Sequence, residues 1–151
     1  MSTKRMEHFS KLTSALEDYI ETIALLKKKK KYARIGDIAK ELEIKSSSVN
    51  VAVKFLVEIG LVIHENYGYV DLTAEGEKVA QEVQRKHDSL YQFLTEVLFV
   101  DSELALKEAC EIEHSVSSDT ICRLEKLFLF LKEHILDKKI KVKKLQSYLN
   151  I

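Results

Sequence analysis

Cys110, Glu113 and His114 stand at i, i+3 and i+4 in the run Glu108-Ala109-Cys110-Glu111-Ile112-Glu113-His114. On a helix those spacings share one face, so a thiolate, a carboxylate and an imidazole would converge, and all three are ligands for a divalent transition metal. The two-His, Glu-base spacing of zinc metalloproteases is absent. No spare general base or substrate-binding loop accompanies the run, so an enzyme is not expected. A charged, solvated helix face produces the same run by chance, and the motif alone leaves both readings open.

A second set of residues suits a duplex. A helix in the major groove needs short polar side chains near its N-terminus and few bulky apolar ones outward. Lys45, Ser46, Ser47, Ser48, Asn50 and Lys54 satisfy that requirement. The serines and Lys45 suit phosphates, Asn50 a base edge, and Lys54 the backbone further along, with Arg34 as a further phosphate ligand. Taken one by one, serines at a helix start are also ordinary caps.

These side chains need elements to place them. Ala15, Leu16, Tyr19, Ile20, Ile23 and Leu26 recur near the helical period and predict a helix over 15–29, with Ser14 as N-cap and Glu17 completing a capping box. Its end is the lysine run 27–31, read as a solvated helix C-terminus or a phosphate contact. Two short helices follow: 35–42, with Ile38, Ala39 and Leu42 on one face, and a second to about Ile59, capped by Ser46 or Ser47. Val49, Val53, Leu56 and Val57 of the second point inward, and Gly60 supplies a left-handed stop.

Segments 61–65 and 69–72 read as strands joined by Asn66-Tyr67-Gly68, a hairpin in which His64, Asn66, Tyr67 and Tyr69 face an adjacent groove. Two such helices followed by a hairpin make a winged helix-turn-helix. Thr73 then caps a long helix to about Leu98, Asp101-Ser102 begins another to about His114, and Ser117 or Ser118 begins a third. The tail from Asp137 alternates lysine with apolar residues.

Composition sets the outer limits. The chain has 151 residues, no proline, four glycines and 46% hydrophobic residues, which favours long helices around a real core. Net charge is zero overall. Residues 1–84 are balanced, 85–135 carry an acidic excess around the candidate ligands, and 136–151 carry five lysines against one acidic residue; acidic surroundings attract cations. No run of about 18 apolar residues predicts a membrane span. No apolar h-region follows Met1-Ser2-Thr3-Lys4-Arg5, and two cysteines without a secretion signal read as free thiols in a reducing compartment, so a cytoplasmic location is expected. Cys122 reads as a core residue.

Together the winged helix and the Cys-x-x-Glu-His run resemble the diphtheria toxin repressor/manganese transport regulator family of metal-dependent repressors, over approximately residues 14–135. The resemblance is carried by Leu16-Glu17-Asp18-Tyr19-Ile20-Glu21-Thr22-Ile23, Leu72-Thr73-Ala74-Glu75-Gly76, Arg85-Lys86-His87 and the 108–114 run. It implies a mostly α fold: a winged-helix DNA-binding domain at 1–73 and a helical metal-binding and dimerisation domain at 74–151, without the SH3-like domain of the iron branch. It implies metal ligands at Asp18, Glu21, His87, Cys110, Glu113 and His114. Metal held there would tie the first helix to the second half and set the spacing of two recognition helices in a homodimer on a palindromic operator.

Two departures from the family pattern bear on the metal. The manganese branch has Glu where Cys110 stands, and the iron branch has Met where Asp18 stands. The iron branch's ancillary ligands fall on Tyr91 and Leu106. Carboxylates suit Mn(II), whereas a thiolate moves preference toward Fe(II), Zn(II) or Co(II), so Mn(II) or Fe(II) is the expected effector, with Zn(II) and Co(II) binding in vitro. Thiol and imidazole must deprotonate, so the response should weaken at low pH. The other regulatory reading is a winged-helix protein controlled by a non-metal ligand or a protein partner, with a vestigial metal cluster.

Overall fold

The computed structural model describes residues 12–65, 68–136 and 138–150, which divide into two compact units, 1–83 and 84–151. Asn66, Tyr67 and Asp137 lie outside the described residues, as does the N-terminus before Leu12.

In the first unit, helix α1 (Ser14–Lys30) buries Ile20, Thr22, Ile23 and Leu26. Its cap is Thr13, whose Oγ1 accepts from the Leu16 amide at 3.4 Å. The helix thus starts one residue before the expected point, and Ser14 is its first helical residue. Thr13 has the extended backbone that a cap requires (φ −77°, ψ 155°). The third residue after Thr13 is Leu16, so Glu17 does not stand at capping-box spacing from this cap. At the other end Lys31 takes a left-handed conformation (φ 69°), and its amide closes on the Lys27 carbonyl at 2.9 Å.

Three lysines of the 27–31 run are tied down within the domain. Lys27 Nζ donates to Asp71 Oδ1 at 2.6 Å and to Glu77 Oε1 at 2.7 Å. Lys30 reaches Asp37 at 2.8 Å and Lys29 reaches Glu41 at 3.3 Å. The end of α1 is therefore fastened by charge to three neighbouring elements.

Strand β1 (Ala33–Arg34) has no counterpart in the sequence reading. Two residues carry no alternation to detect; they become a strand only by pairing across the sheet, Ala33 opposite Val70 and Arg34 opposite Tyr69. Helix α2 (Ile35–Glu41) buries Ile38 and Ala39. A turn with Glu43 in the left-handed region (φ 55°) leads to α3 (Ser46–Glu58). Helix α3 buries Val49, Ala52, Val53 and Leu56. Val57, expected inward, is exposed, and Ala52 takes its place in the core.

Gly60 (φ 80°) ends α3 as expected. Its amide bonds the Val57 carbonyl at 3.0 Å and the Leu61 amide bonds Leu56 at 2.9 Å, the paired closure of a Schellman end. Strands β2 (Val62–His64) and β3 (Tyr69–Leu72) form the wing, with Val62 opposite Leu72 and His64 opposite Val70. The sheet is three-stranded, in the order β1-β3-β2, rather than a bare hairpin. The core of this unit is a single cluster in which Ile20, Ile23, Ile38, Val53, Leu56 and Val70 are inaccessible to solvent.

Helix α4 (Ala74–Gln92) starts in the first unit and continues into the second. Thr73 caps it: Oγ1 accepts from the Gly76 amide at 3.0 Å and donates to the Gly60 carbonyl at 2.8 Å. Gly76 is buried, and a Cβ there would overlap the Leu61 carbonyl oxygen, so the helix start can approach the wing only without a side chain. Residues Phe93–Val97 continue as a π-helical turn, which ends near Leu98 as the sequence predicts.

The second unit adds α5 (Ser102–Glu113), capped by Asp101, whose Oδ1 accepts from the Glu103 amide at 2.9 Å. Helix α6 (Ser118–Leu131) is capped by Ser117, whose Oγ accepts from the Thr120 amide at 3.2 Å. Leu90, Leu94, Ala105, Ala109 and Ile121 form its core. Arg85 on α4 holds Glu125 on α6 through two bonds of 2.7 and 2.8 Å, and Ser89 Oγ donates to the same carboxylate at 2.7 Å. The tail, to which the sequence assigns no element, forms α7 (Lys139–Leu149).

Candidate metal centre and nucleic-acid interface

In the second unit, α4 supplies His87 and α5 supplies Cys110 and Glu113, while His114 is the C-cap residue of α5. Glu113 is 1% exposed, a rare situation for a carboxylate. His87 Nδ1 lies 2.8 Å from its Oε2, and His114 Nε2 lies 3.4 Å from its Oε1. The two imidazoles address opposite oxygens of one carboxylate.

Glu113 Oε1 is buried and has no hydrogen-bond partner among the described residues. Leaving a buried carboxylate oxygen in that condition is costly, and a cation beside it would offset the cost. Carboxylate and imidazole donors suit a divalent transition metal, so these residues fit one.

Along the 110–114 run the exposure is uneven. Cys110 is exposed while Glu113, one turn on, is buried. Helical spacing aligns Cα–Cβ directions; which side chain is covered depends on what packs over it. Among the described residues, no group of three or more His, Cys, Asp and Glu side chains is already gathered around a point an ion could occupy. In the first unit, Asp18 and Glu21 lie one turn apart on α1, both partly buried. Tyr91 packs against the core of the second unit, and Leu106 is exposed. Cys122 is half-buried rather than fully enclosed.

On α3, Lys45 occupies the N-cap position without a side-chain cap, and Ser46, Ser47 and Ser48 are exposed in the first turn. The capping role expected for Ser46 or Ser47 is therefore not theirs, since the helix begins at Ser46 itself. Asn50 is exposed and donates from Nδ2 to the Ser46 carbonyl at 3.0 Å. Lys54 is exposed one turn later.

Arg34 sits on β1, its guanidinium 5.0 Å from the Tyr69 ring centre and 5.5 Å from that of Tyr32. It also donates to the Tyr69 hydroxyl at 3.1 Å. That hydrogen bond raises an already high pKa, so the group is a permanent cation. The two rings hold it in place. Tyr32 was missed by sequence reasoning; its signal was an aromatic residue two positions before an arginine. Val51, exposed on α3, was missed as well, because the criterion for duplex contacts was a short polar side chain.

Family models match the two parts in order. Residues 11–70 match "Iron dependent repressor, N-terminal DNA binding domain", and residues 73–141 match "Iron dependent repressor, metal binding and dimerisation domain". The chain belongs to the iron-dependent repressor family. The resemblance seen in the sequence, and the mostly helical winged-helix architecture it implied, are thereby borne out.

Among relatives in this repressor family, the HTH-type transcriptional regulator MntR of Shouchella clausii is 35% identical over 122 residues, covering 81% of this chain and 85% of the relative. MntR of Bacillus subtilis is 36% identical over 121 residues, covering 80% and 84%. Among solved structures, T. acidophilum IdeR matches with 29% identity and a TM-score of 0.67, over 74% of this chain and 53% of that one. The manganese regulator SloR matches with 28% identity and a TM-score of 0.68, over 76% and 54%. The chain thus spans about half the length of these solved chains. It is a transcriptional regulator of a metal-dependent repressor family, and among its described residues no helix is long and apolar enough to cross a membrane.

Proposed function

We propose that this protein is a homodimeric repressor that binds a palindromic duplex operator in the cytoplasm when Mn(II) or Fe(II) is available, controlling metal-uptake genes. The observation that carries this reading is the buried Glu113 carboxylate, flanked by two imidazoles, with one oxygen making no hydrogen bond among the described residues. Such a group is expensive in a protein that never meets a cation.

The ligand set is Asp18, Glu21, His87, Cys110, Glu113 and His114. Bound metal would supply positive charge that offsets the carboxylates. His87 and His114 would donate as neutral imidazoles, and Cys110 would add a soft donor that turns preference away from Mn(II) and toward Fe(II). On the duplex, Lys45, Ser46, Ser47, Ser48, Arg34 and Lys54 hold phosphates and Asn50 meets a base edge. Because Asp18 and Glu21 belong to the helix at the centre of the DNA-binding unit, metal and operator binding are linked, each tightening the other by the same factor.

Anaerobic binding to duplexes selected from a random library, with and without Mn(II) or Fe(II), tests the reading. The expected gain in affinity with metal is about 5- to 150-fold. Equal affinity in all three conditions would overturn it and favour control by a non-metal ligand or a protein partner.

A further inference from the structure

Along the exposed side of α3, Ser47, Asn50, Val51 and Lys54 stand at i, i+3, i+4 and i+7, a single helical stripe. Three of the four are polar. Val51 is 71% exposed, although its neighbours in sequence, Asn50 apart, belong to the buried side: Val49 and Val53 are inaccessible and Ala52 is 7% exposed. A β-branched residue at an open helix position adds no packing and is a poorer helix former than Ala, Lys or Gln. Folding does not account for it.

We propose that Val51 is a specificity-determining residue, reading the 5-methyl group of a thymine in the major groove. The thymine methyl is the distinctive apolar group on the base edges exposed in that groove, and a small apolar side chain is its natural partner. The flanking residues fit this occupant. Ser47 and Lys54 suit phosphates and Asn50 suits a base edge, so Val51 lies in the middle of the groups that would meet the duplex. Phe55, one turn on, is 42% exposed and continues the apolar strip toward the end of the helix. This inference rests on the DNA-binding reading above and adds a base preference to it.

The test uses the full chain with Mn(II) and a duplex selected from a random library. Each thymine is replaced in turn by deoxyuridine, which removes the methyl group and nothing else, and affinities are measured for wild type and V51A. At one thymine per half-site, the replacement should weaken wild-type binding about fourfold, the worth of one buried methyl. V51A, which alters both recognition helices of the homodimer at once, should bind the thymine duplex about 16-fold more weakly and be indifferent to the same replacement. At an open position it should keep the wild-type circular dichroism and thermal midpoint. Indifference of the wild type to every replacement, or an undiminished methyl effect in V51A, overturns the inference and leaves the DNA-binding reading standing. So does a change in self-association of V51A without any methyl effect. Failure to select any duplex overturns both.

Discussion

His87 Nδ1 and Glu113 Oε2 stand 2.8 Å apart, joining α4 to the last residue of α5 across 26 positions of sequence. The carboxylate in this pair is 1% exposed and the imidazole 16%. His114 approaches the other oxygen of the same carboxylate at 3.4 Å. One acidic side chain thus organises two imidazoles in the second unit.

Glu113→Ala should remove a proposed ligand and the group that holds His87. Loss of even an outer partner costs about 10- to 100-fold in metal affinity, so a fall of at least about 100-fold is expected here, with the metal-dependent gain in operator affinity abolished. Anaerobic titration with Mn(II) or Fe(II), followed by inductively coupled plasma measurement of bound metal, checks this. Undiminished metal response in the variant would remove Glu113 from the ligand set.

Gly76→Ala should destabilise the first unit by about 2–4 kcal/mol, because the new Cβ meets backbone that cannot move cheaply. Its neighbour provides the comparison. Thr73→Ala removes a cap and a bond to Gly60 and should cost about 1–2 kcal/mol. Urea unfolding of both variants gives the two values; a neutral Gly76→Ala would show that α4 and the wing can separate.

Lys27 is held by Asp71 first and Glu77 second, and both bonds raise its pKa above the ordinary value of 10.5. A raised ammonium pKa means that its contribution is complete below 10.5 and is lost as pH rises through the higher folded value. The acceptors are half-exposed, so solvent screening holds the contribution to about 0.5–1 kcal/mol. Lys27→Met should lose that amount at pH 8, and the gap between variant and wild type should close above pH ~11. Unfolding midpoints across that range decide the matter.

Arg34→Ala should weaken duplex binding to a similar extent for different sequences and reduce the slope of log affinity against log salt by about one. Arg34→Lys keeps the charge and loses the planar stacking on Tyr32 and Tyr69. It should preserve the salt slope while binding more weakly than wild type. A slope unchanged by Arg34→Ala would take Arg34 off the interface.

Local patterns along the chain were enough for most elements and several of their ends. Helical periods marked α1 and α3, and Thr73, Asp101 and Ser117 were readable as caps, with Gly60 as a stop. Each of these depends on groups within four or five residues of one another, so the information is local. The residue types fit for metal and duplex were legible for the same reason.

What each side chain meets depends instead on the packed fold. Strand β1 exists because Val70 and Tyr69 pair with it from more than thirty residues away. The lysine run is fastened because Asp37, Glu41, Asp71 and Glu77 come to it. Glu113 is enclosed while Cys110 stays open, and Val57 is open while Val53 is enclosed, although spacing treats each pair alike. Burial is a property of the packed neighbours, which local spacing does not specify, and at this protein's candidate site it is burial that separates a charged helix face from a carboxylate in need of a cation.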